Sequence, residues 1–189
     1  NAMFVDAIIA PEYGPGATEI LTKKKNLILC TFNDYTIPDI TTRLVPNGIL
    51  VQPSDTHVIS EKDLKVVSQK QPSDQELKDL MFAWKVVKYA KSNAAVISTG
   101  TKTLGVGMGQ TSRIGAVELA LERAGERAEG SMMASDAFFP YRDSIDAAAE
   151  KGVSAIIAPG GSIRDNQSIT AADEAGIVLV WSGIRAFLH

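Results

Sequence analysis

Residues 131–183 are SMMASDAFFPYRDSIDAAAEKGVSAIIAPGGSIRDNQSITAADEAGIVLVWSG, three short apolar runs separated by two helical patterns. The runs are Met132–Ser135, Ala155–Ala158 and Val178–Trp181. Strands that alternate with helices in this way predict a parallel α/β sheet. The segments that follow the three runs are Asp136–Pro140, Pro159–Ser162 and Ser182–Arg185. Loops after neighbouring parallel strands lie at the carboxyl edge of a sheet, where ligands usually bind, so we predict a functional site there.

The composition is that of a globular protein without an excess of basic residues. The 189 residues are 45% apolar, which suits one ordinary core or a large piece of a bigger domain. A net charge of −3 cannot neutralise a phosphate backbone, which argues against nucleic-acid binding. The sequence has no run of eighteen apolar residues and no signal-peptide pattern. We therefore predict a cytoplasmic protein that does not bind membranes.

Cys30 is the single cysteine of the chain and lies in the apolar run Leu27–Cys30. One cysteine cannot form a disulfide within the chain, and its place in an apolar run predicts a buried thiol rather than a nucleophile. A reducing compartment fits this pattern.

The first third of the chain opens with a β-α-β pattern. Its apolar run Phe4–Ala10, helical segment Gly16–Lys25 and apolar run Leu27–Phe32 predict that the sheet begins at once. Residues 33–70 are rich in Pro, Asp, Thr and Gly around the short apolar run Gly48–Val51, which predicts a long surface excursion. Asn1 and Ala2 stand ahead of Met3 and are interpreted as an expression scar, so the predicted domain is 3–189.

A capping box predicts the longest helix. Ser73 is followed three residues later by Glu76, and apolar residues then recur at helical spacing through Tyr89. Trp84 lies on this apolar stripe, which predicts a core position rather than a ligand platform. The pair Ser92-Asn93 then stands directly before the apolar strand Ala94–Ile97. By pattern alone Asn93 is either a cap or turn residue or a functional amide, and both interpretations stay open.

Glycines and an arginine follow the next predicted strand, Thr103–Val106. The sequence Gly105-Val-Gly-Met-Gly109 lacks the later glycine and the acidic residue of a dinucleotide site, so it is a weak signal for a ligand loop. Arg113 stands in the first turn of the helix predicted over 114–124, where the helix dipole disfavours a cation. Such a local conflict is expected where function overrides stability, which makes Arg113 a candidate site residue.

Five segments carry a resemblance to a known family, in the same order along the chain. They are KVVKYAKSNA at 85–94, GVGMGQTSR at 105–113, ASDAFFPYRD at 134–143, APGGSIRD at 158–165 and IRAFLH at 184–189. The sequence resembles the AICAR transformylase domain of the bifunctional purine-biosynthesis enzyme that also carries IMP cyclohydrolase. The resemblance runs from Phe4 to His189 and covers the C-terminal part of that transformylase domain.

The resemblance implies both a fold and an activity. The implied fold is a three-layer α/β/α arrangement with a mainly parallel sheet, similar to cytidine deaminase but without its zinc. The lone Cys30 also lacks the partners that a zinc site needs. The implied activity is a formyltransferase step of purine (IMP) biosynthesis, in which 10-formyltetrahydrofolate is the co-substrate and AICAR accepts the formyl group. The implied assembly is a homodimer.

The resemblance also implies site residues. The catalytic candidates are Asn93 and His189. The substrate-binding candidates are Arg113, the folate wall Phe138, Phe139 and Pro140, the pteridine partner Asp143, the loop Gly160, Gly161 and Ser162, and the phosphate end Arg185 and Phe187. A monovalent cation, potassium, is implied near Ser92 and Asp136. The chain departs from the common ending of the family at Ala186 and Leu188, which bears on nucleotide affinity.

The Lys-His pair of the family has no counterpart, because no Lys-His dipeptide occurs in this chain. Three interpretations stay open: a fragment, a split subunit whose separate partner chain carries the Lys-His motif, and a stand-alone relative. The leading prediction is part of a formyltransferase that needs the missing Lys-His half for turnover. The alternatives are a non-catalytic relative that binds AICAR or folate, and an assembly module without a ligand.

Overall fold

The computed structural model describes residues 4–33, 36 and 38–189 and divides into two compact units, Asn1–His57 and Val58–His189. Described elements of the first unit are strand β1 (Ala7–Ala10), helix α1 (Ala17–Leu21) and strands β2 (Ile28–Thr31), β3 (Ile40–Val45) and β4 (Gly48–Pro53). Strands β1 and β2 pair in parallel, and β3 and β4 form an antiparallel hairpin.

Two predictions for the first unit are wrong. The β-α-β pattern does not begin the main sheet, because β1 and β2 form a two-stranded sheet of their own. Cys30 is exposed rather than buried. Both errors have one cause: a short apolar run identifies a strand but not the surface that covers it. The surface excursion predicted over residues 33–70 also contains more structure than expected, including the β3–β4 hairpin.

The second unit is built on one six-stranded sheet. Its elements are β5 (Lys65–Val66), α2 (Asp74–Val87), β6 (Ala95–Thr99), β7 (Lys102–Gly107), α3 (Arg113–Ala124), β8 (Met132–Ser135), α4 (Asp143–Glu150), β9 (Ala155–Ala158), α5 (Asp165–Ala175) and β10 (Val178–Trp181). The strand order is β5-β10-β9-β8-β6-β7. Strands β7 to β10 run in one direction, and β5 and β6 run in the other. The prediction of an α/β fold with a mainly parallel sheet is confirmed.

Helices cover both faces of this sheet, which gives three layers. Alternate residues of β8 pack on opposite faces of the sheet. Met133 faces the hydrophobic cluster that contains α3, α4 and α5, while Met132 and Ala134 face the cluster that contains α2. Because both faces are buried, β8, β9 and β10 are nearly continuous apolar runs without polar alternation. Trp84 is buried in the α2 layer, as predicted. The Ser73–Glu76 capping box is present, with Glu76 N–H donating to Ser73 Oγ at 3.3 Å.

The glycines of the GxGxG segment allow a helix to lie directly on a strand. A Cβ at Gly107 would lie 1.9 Å from the carbonyl oxygen of Ala116 in α3, and one at Gly105 would lie 2.0 Å from that of Ala120. Neither distance leaves room for an alanine. The segment therefore serves packing between β7 and α3 rather than the approach of a ligand.

We expect Gly107→Ala to lower the free energy of unfolding of the second unit by about 3 kcal/mol, the upper end for overpacking, because the helix backbone cannot give way cheaply. Gly176→Ala is the matched control, since Gly176 has a positive φ of 65° but open space around its Cβ position. That variant should cost only about 1 kcal/mol, the penalty for a left-handed backbone. Urea denaturation measures both, and equal costs would contradict the packing explanation.

Candidate functional site

A cavity of about 430 Å³ opens in the second unit beside the carboxyl end of β8. It is lined by Asn93, Thr111, Ser112, Arg113, Ile114, Ala137, Phe138, Pro140, Tyr141, Asp143 and Phe187. A volume of this size is within the usual range for small-molecule sites. Six residues that the sequence analysis selected line this cavity together: Asn93, Arg113, Phe138, Pro140, Asp143 and Phe187.

Sheet topology explains why these distant segments meet. Strand β6 is antiparallel to β8, and Ala95 is paired with Ser135. The start of β6 therefore lies next to the end of β8, which places Ser92 and Asn93 beside Asp136. Strand β7 ends at the same edge, so the N-terminus of α3 with Arg113 arrives there as well.

A buried ion pair lies behind the cavity. Arg113 Nη1 donates to Asp136 Oδ1 at 2.5 Å and to the Ala94 carbonyl at 2.7 Å. The side chains are 5% and 0% exposed, respectively. Asp136 accepts two further hydrogen bonds, from Ser92 Oγ at 2.5 Å and from the Ala94 N–H at 2.9 Å. The carboxylate thus neutralises Arg113 at the start of α3, which resolves the conflict with the helix dipole.

These contacts do not favour a monovalent cation at Ser92 and Asp136. Both carboxylate oxygens of Asp136 already accept hydrogen bonds, and the Arg113 guanidinium supplies the compensating charge. A second cation beside that guanidinium would be repelled. In the described part of the chain, no group of three or more His, Cys, Asp or Glu side chains is placed to hold a metal ion. A potassium ion at this position stays a prediction of the resemblance.

The side-chain amide of Asn93 has a fixed orientation. Arg113 Nη2 donates to Asn93 Oδ1 at 2.9 Å, and Asn93 Nδ2 donates to the Gln110 carbonyl at 2.9 Å. A guanidinium can only donate and a carbonyl can only accept, so the two amide ends cannot be exchanged. The second Nδ2 hydrogen has no hydrogen-bond acceptor among residues 4–33, 36 and 38–189. Asn93 therefore offers one N–H donor at the cavity wall.

The predicted folate wall separates into two parts. Phe138 and Pro140 line the cavity, whereas Phe139 is fully buried in the core cluster between the sheet and α3 to α5. Arg185 is exposed, and its guanidinium carbon lies 5.1 Å from the centre of the Phe138 ring. That distance is within the range of a cation–π contact. Phe139 is therefore a packing residue, and Arg185 adjoins the cavity through Phe138.

Asp143 begins α4 at the rim of the cavity. Its Oδ1 accepts a hydrogen bond from the Ser144 N–H at 2.7 Å, which satisfies one of the N–H groups in the first turn of the helix. Its Oδ2 has no hydrogen-bond donor among the residues that the structure describes. Asp143 is exposed, so it combines a local structural role with a carboxylate oxygen that remains open to a ligand.

The loop Gly160–Ser162 does not line the cavity. Asp165 accepts hydrogen bonds from the N–H groups of Gly161 at 2.7 Å and of Ser162 at 3.0 Å, so these donors are already used. A Cβ at Gly160 would lie 2.9 Å from the Trp181 ring. The loop meets the cavity indirectly, because the guanidinium carbon of Arg164 lies 4.5 Å from the ring centre of Tyr141.

The last residues are held against the sheet edge. Ala186 is buried, and its N–H donates to the Asp136 carbonyl at 2.9 Å. Phe187 lines the cavity. His189 is exposed and does not line it, and its ring centre lies 5.6 Å from that of Phe187. The catalytic role of His189 stays a prediction.

Sequence reasoning missed five residues that line the cavity: Thr111, Ser112, Ile114, Ala137 and Tyr141. Each lies in or next to a segment that carries the resemblance: Thr111 and Ser112 are in 105–113, Ala137 and Tyr141 are in 134–143, and Ile114 follows the first of these segments. Position in or next to these segments is the signal that could have identified these residues. This signal does not give the direction of each side chain, which depends on where the helices α3 and α4 begin.

These features define the second unit as a three-layer α/β domain with a ligand-sized cavity at the carboxyl edge of its sheet. The chain belongs to the AICARFT/IMPCHase bienzyme family, whose sequence model matches residues 1–123. This finding confirms the family resemblance. The position of the chain within the family's longer proteins stays a prediction.

Curated relatives are named bifunctional purine biosynthesis protein PurH. The protein of Acetivibrio thermocellus is 48% identical over 193 residues, which cover 100% of this chain and 38% of that protein. The protein of Synechococcus elongatus is 48% identical over 187 residues, or 98% of this chain and 36% of that protein. The protein of Anoxybacillus flavithermus is 47% identical over 192 residues, or 99% and 37%. The chain thus spans well under half the length of these relatives.

Similarity to solved structures is weaker. Form 2 of Acinetobacter baumannii RibD matches 55% of this chain and 33% of that chain with 18% identity and a TM-score of 0.36, which is too low to compare folds. The likeness to cytidine deaminase therefore stays a prediction. Among the residues described, no helix combines the length and the apolar character needed to cross a membrane.

Proposed function

We propose that this chain is part of a phosphoribosylaminoimidazolecarboxamide formyltransferase, a transferase of purine biosynthesis. In this reaction the formyl group of 10-formyltetrahydrofolate passes to the 5-amino group of AICAR. The observation that carries the proposal is the cavity itself, because it combines an oriented amide at Asn93, an apolar wall at Phe138 and Pro140, and an open carboxylate oxygen at Asp143. Membership of the family and the names of the relatives support it.

The chemistry explains what such a site must provide. The 5-amino group of AICAR is a weak nucleophile, because its lone pair is delocalised toward the carboxamide. Transfer forms a bond from this nitrogen to the formyl carbon, breaks the bond from that carbon to N10 of the folate, and releases a proton from the amine. Such a step needs close positioning, a proton acceptor and hydrogen-bond donors for the formyl oxygen. Asn93 supplies a donor of this kind.

The walls suit the two substrates. The ring of Phe138 and the face of Pro140 fit a flat pteridine. The Asp143 carboxylate can accept hydrogen bonds from the 2-amino group and the ring N–H of that pteridine. Arg185 beside Phe138 provides a guanidinium for the nucleotide phosphate. His189 adjoins Phe187 and is the one histidine of the second unit.

The proposal extends to the setting of the enzyme. The chain works in the cytoplasm as a homodimer, and it requires the Lys-His pair from elsewhere for turnover. A second candidate is a non-catalytic relative that binds AICAR or folate. The sequence observation that favours it is the absence of a Lys-His dipeptide.

Asp143→Asn tests the proposed folate contact. We expect this variant to bind a reduced folate about ten- to one-hundred-fold more weakly than the unchanged chain, because it loses a charged hydrogen-bond acceptor. AICAR affinity should not change. The asparagine oxygen can still accept from the Ser144 N–H, so the thermal melt should stay the same. Isothermal titration calorimetry with AICAR and with 5-formyltetrahydrofolate measures both affinities.

Glu150→Gln is the matched control, since it removes an exposed carboxylate from the other end of the same helix. It should leave both affinities unchanged. If the unchanged chain binds neither AICAR nor the folate, the proposed function is wrong. If it binds both and Asp143→Asn binds folate equally well, the function stands and Asp143 only accepts the Ser144 N–H in the first turn of the helix.

A further inference from the structure

Ser92 joins the C-terminal segment to the buried ion pair. Its N–H donates to the Leu188 carbonyl at 2.9 Å, and its Oγ accepts from the Leu188 N–H at 3.1 Å. The same Oγ donates to Asp136 Oδ2 at 2.5 Å. A serine hydroxyl has one hydrogen, and here that hydrogen is used by the carboxylate. The hydroxyl therefore accepts from the tail on one side and donates to Asp136 on the other.

Asp136 continues this connection to the cavity wall. Its Oδ1 receives Arg113 Nη1 at 2.5 Å, and Arg113 Nη2 donates to Asn93 Oδ1 at 2.9 Å. The backbone carbonyl of Asp136 also accepts from Ala186 N–H in the tail. An unbroken series of hydrogen bonds thus runs from Leu188 through Ser92, Asp136 and Arg113 to Asn93.

Because Asp136 is buried, the hydrogen bonds of this series depend on one another. Asp136 is fully buried, so a carboxylate oxygen that loses a partner cannot recover it from water. Hydrogen bonds that share donors and acceptors in a buried network polarise one another and strengthen together. Release of the tail would leave the Ser92 hydroxyl free to rotate away from Asp136. The Arg113 guanidinium would then readjust, and the Asn93 amide with it.

We propose that Ser92 and Asp136 are positioning residues that couple the docking of residues 186–189 to the positions of the Arg113 guanidinium and the Asn93 amide. Neither residue needs to touch a ligand. Phe187 and Asn93, which belong to separate segments of the cavity wall, then become ordered together. The coupling is a property of the free protein, and its effect on AICAR binding rests on the proposed function. By reciprocity, a ligand held at Phe187 would favour the oriented state of Asn93.

The first experiment measures the coupling without a ligand, by NMR of the 189-residue chain. In Ser92→Ala, the Leu188 amide should exchange with solvent about tenfold faster, as expected for one lost hydrogen bond. The side-chain N–H signals of Arg113 and Asn93 should shift in the same variant. Ser92→Thr keeps the hydroxyl and should restore the original exchange rate and shifts. Ser98→Ala is the matched control, because the buried Ser98 Oγ has no hydrogen-bond partner among the described residues.

Removal of Phe187–His189 tests the coupling from the other end. The side-chain signals of Arg113 and Asn93 should shift in this variant although neither residue is in the deleted segment. In the Ser92→Ala background the same deletion should move the Arg113 and Asn93 signals much less, because the connection is already broken. Unchanged Arg113 and Asn93 signals after the deletion would overturn the proposal, as would equal shifts in the two backgrounds.

Calorimetry with AICAR provides the second arm. Phe187→Ala should weaken AICAR binding by a larger factor in the unchanged chain than in Ser92→Ala, so the two changes are not additive. Strict additivity would contradict coupling in the ligand site. If AICAR does not bind at all, the proposed function fails, and the NMR experiments still decide whether Ser92 and Asp136 position Arg113 and Asn93.

Discussion

Replacing Arg113 with alanine is expected to lower the free energy of unfolding of the second unit by about 3–5 kcal/mol. The change leaves Asp136 as a fully buried carboxylate without its compensating cation. It also removes hydrogen bonds from Arg113 to the Ala94 carbonyl and to Asn93 Oδ1. Urea denaturation monitored by circular dichroism measures the loss.

Arg142→Ala is the matched control for this prediction. Arg142 pairs with Asp146 and Glu174, and these contacts raise the pKa of its guanidinium above the ordinary value, so it is always charged. Its side chain is 42% exposed, and solvent-exposed ion pairs contribute little to stability. Equal losses in the two variants would contradict the view that burial makes the Arg113–Asp136 pair critical. The double variant Arg113→Met with Asp136→Asn should lose less than the sum of its parts.

The 189-residue chain by itself is expected to transfer formyl groups about 10²–10⁴-fold more slowly than a protein that carries the Lys-His pair. This factor is the usual contribution of a positioned general acid or base. The described cavity has residues for binding and orientation, but neither histidine of this chain follows a lysine. An assay with AICAR and 10-formyltetrahydrofolate, run beside a formyltransferase of this family that carries the Lys-His pair, measures the ratio.

The outcome of this assay separates the remaining interpretations. If this chain alone turns over within tenfold of the formyltransferase that carries the Lys-His pair, it does not need that pair for activity. Binding of both substrates without turnover, followed by activity when a chain with the Lys-His motif is added, would support a split site. Binding that no added chain converts to turnover would support the non-catalytic relative.

Much of the second unit could be predicted from local patterns. The predicted bounds of the strands β8, β9 and β10 agree with the observed ones. Short apolar runs that are bounded by turn residues such as glycine and proline are typical of strands. The start of α2 was predicted from Ser73 and Glu76 for a similar reason, since a capping box is a local arrangement of hydrogen bonds. Cys30 shows the limit of such patterns, because burial depends on what covers a strand.

The site was harder to predict than the fold. Phe138 and Phe139 are identical neighbours in sequence, yet one lines the cavity and the other is in the core, because the chain direction after β8 determines which side each ring takes. The partner of Arg113 was also not predicted. Asp136 pairs with this guanidinium from 23 residues away in sequence, while the potassium ion that the resemblance implies near Asp136 stays a prediction.

The sequence by itself determined the family, the order of helices and strands from α2 to β10, and the loops at the ends of β8, β9 and β10. These properties depend on hydrophobic periodicity, capping residues and motifs, all of which act over a few neighbouring residues. Only the tertiary structure decided that β6 runs against β8, with Ala95 opposite Ser135, and thereby placed Asn93, Arg113, Asp136 and the tail together. Strand direction and order are set by burial of both sheet faces at once, a non-local condition that no short segment contains.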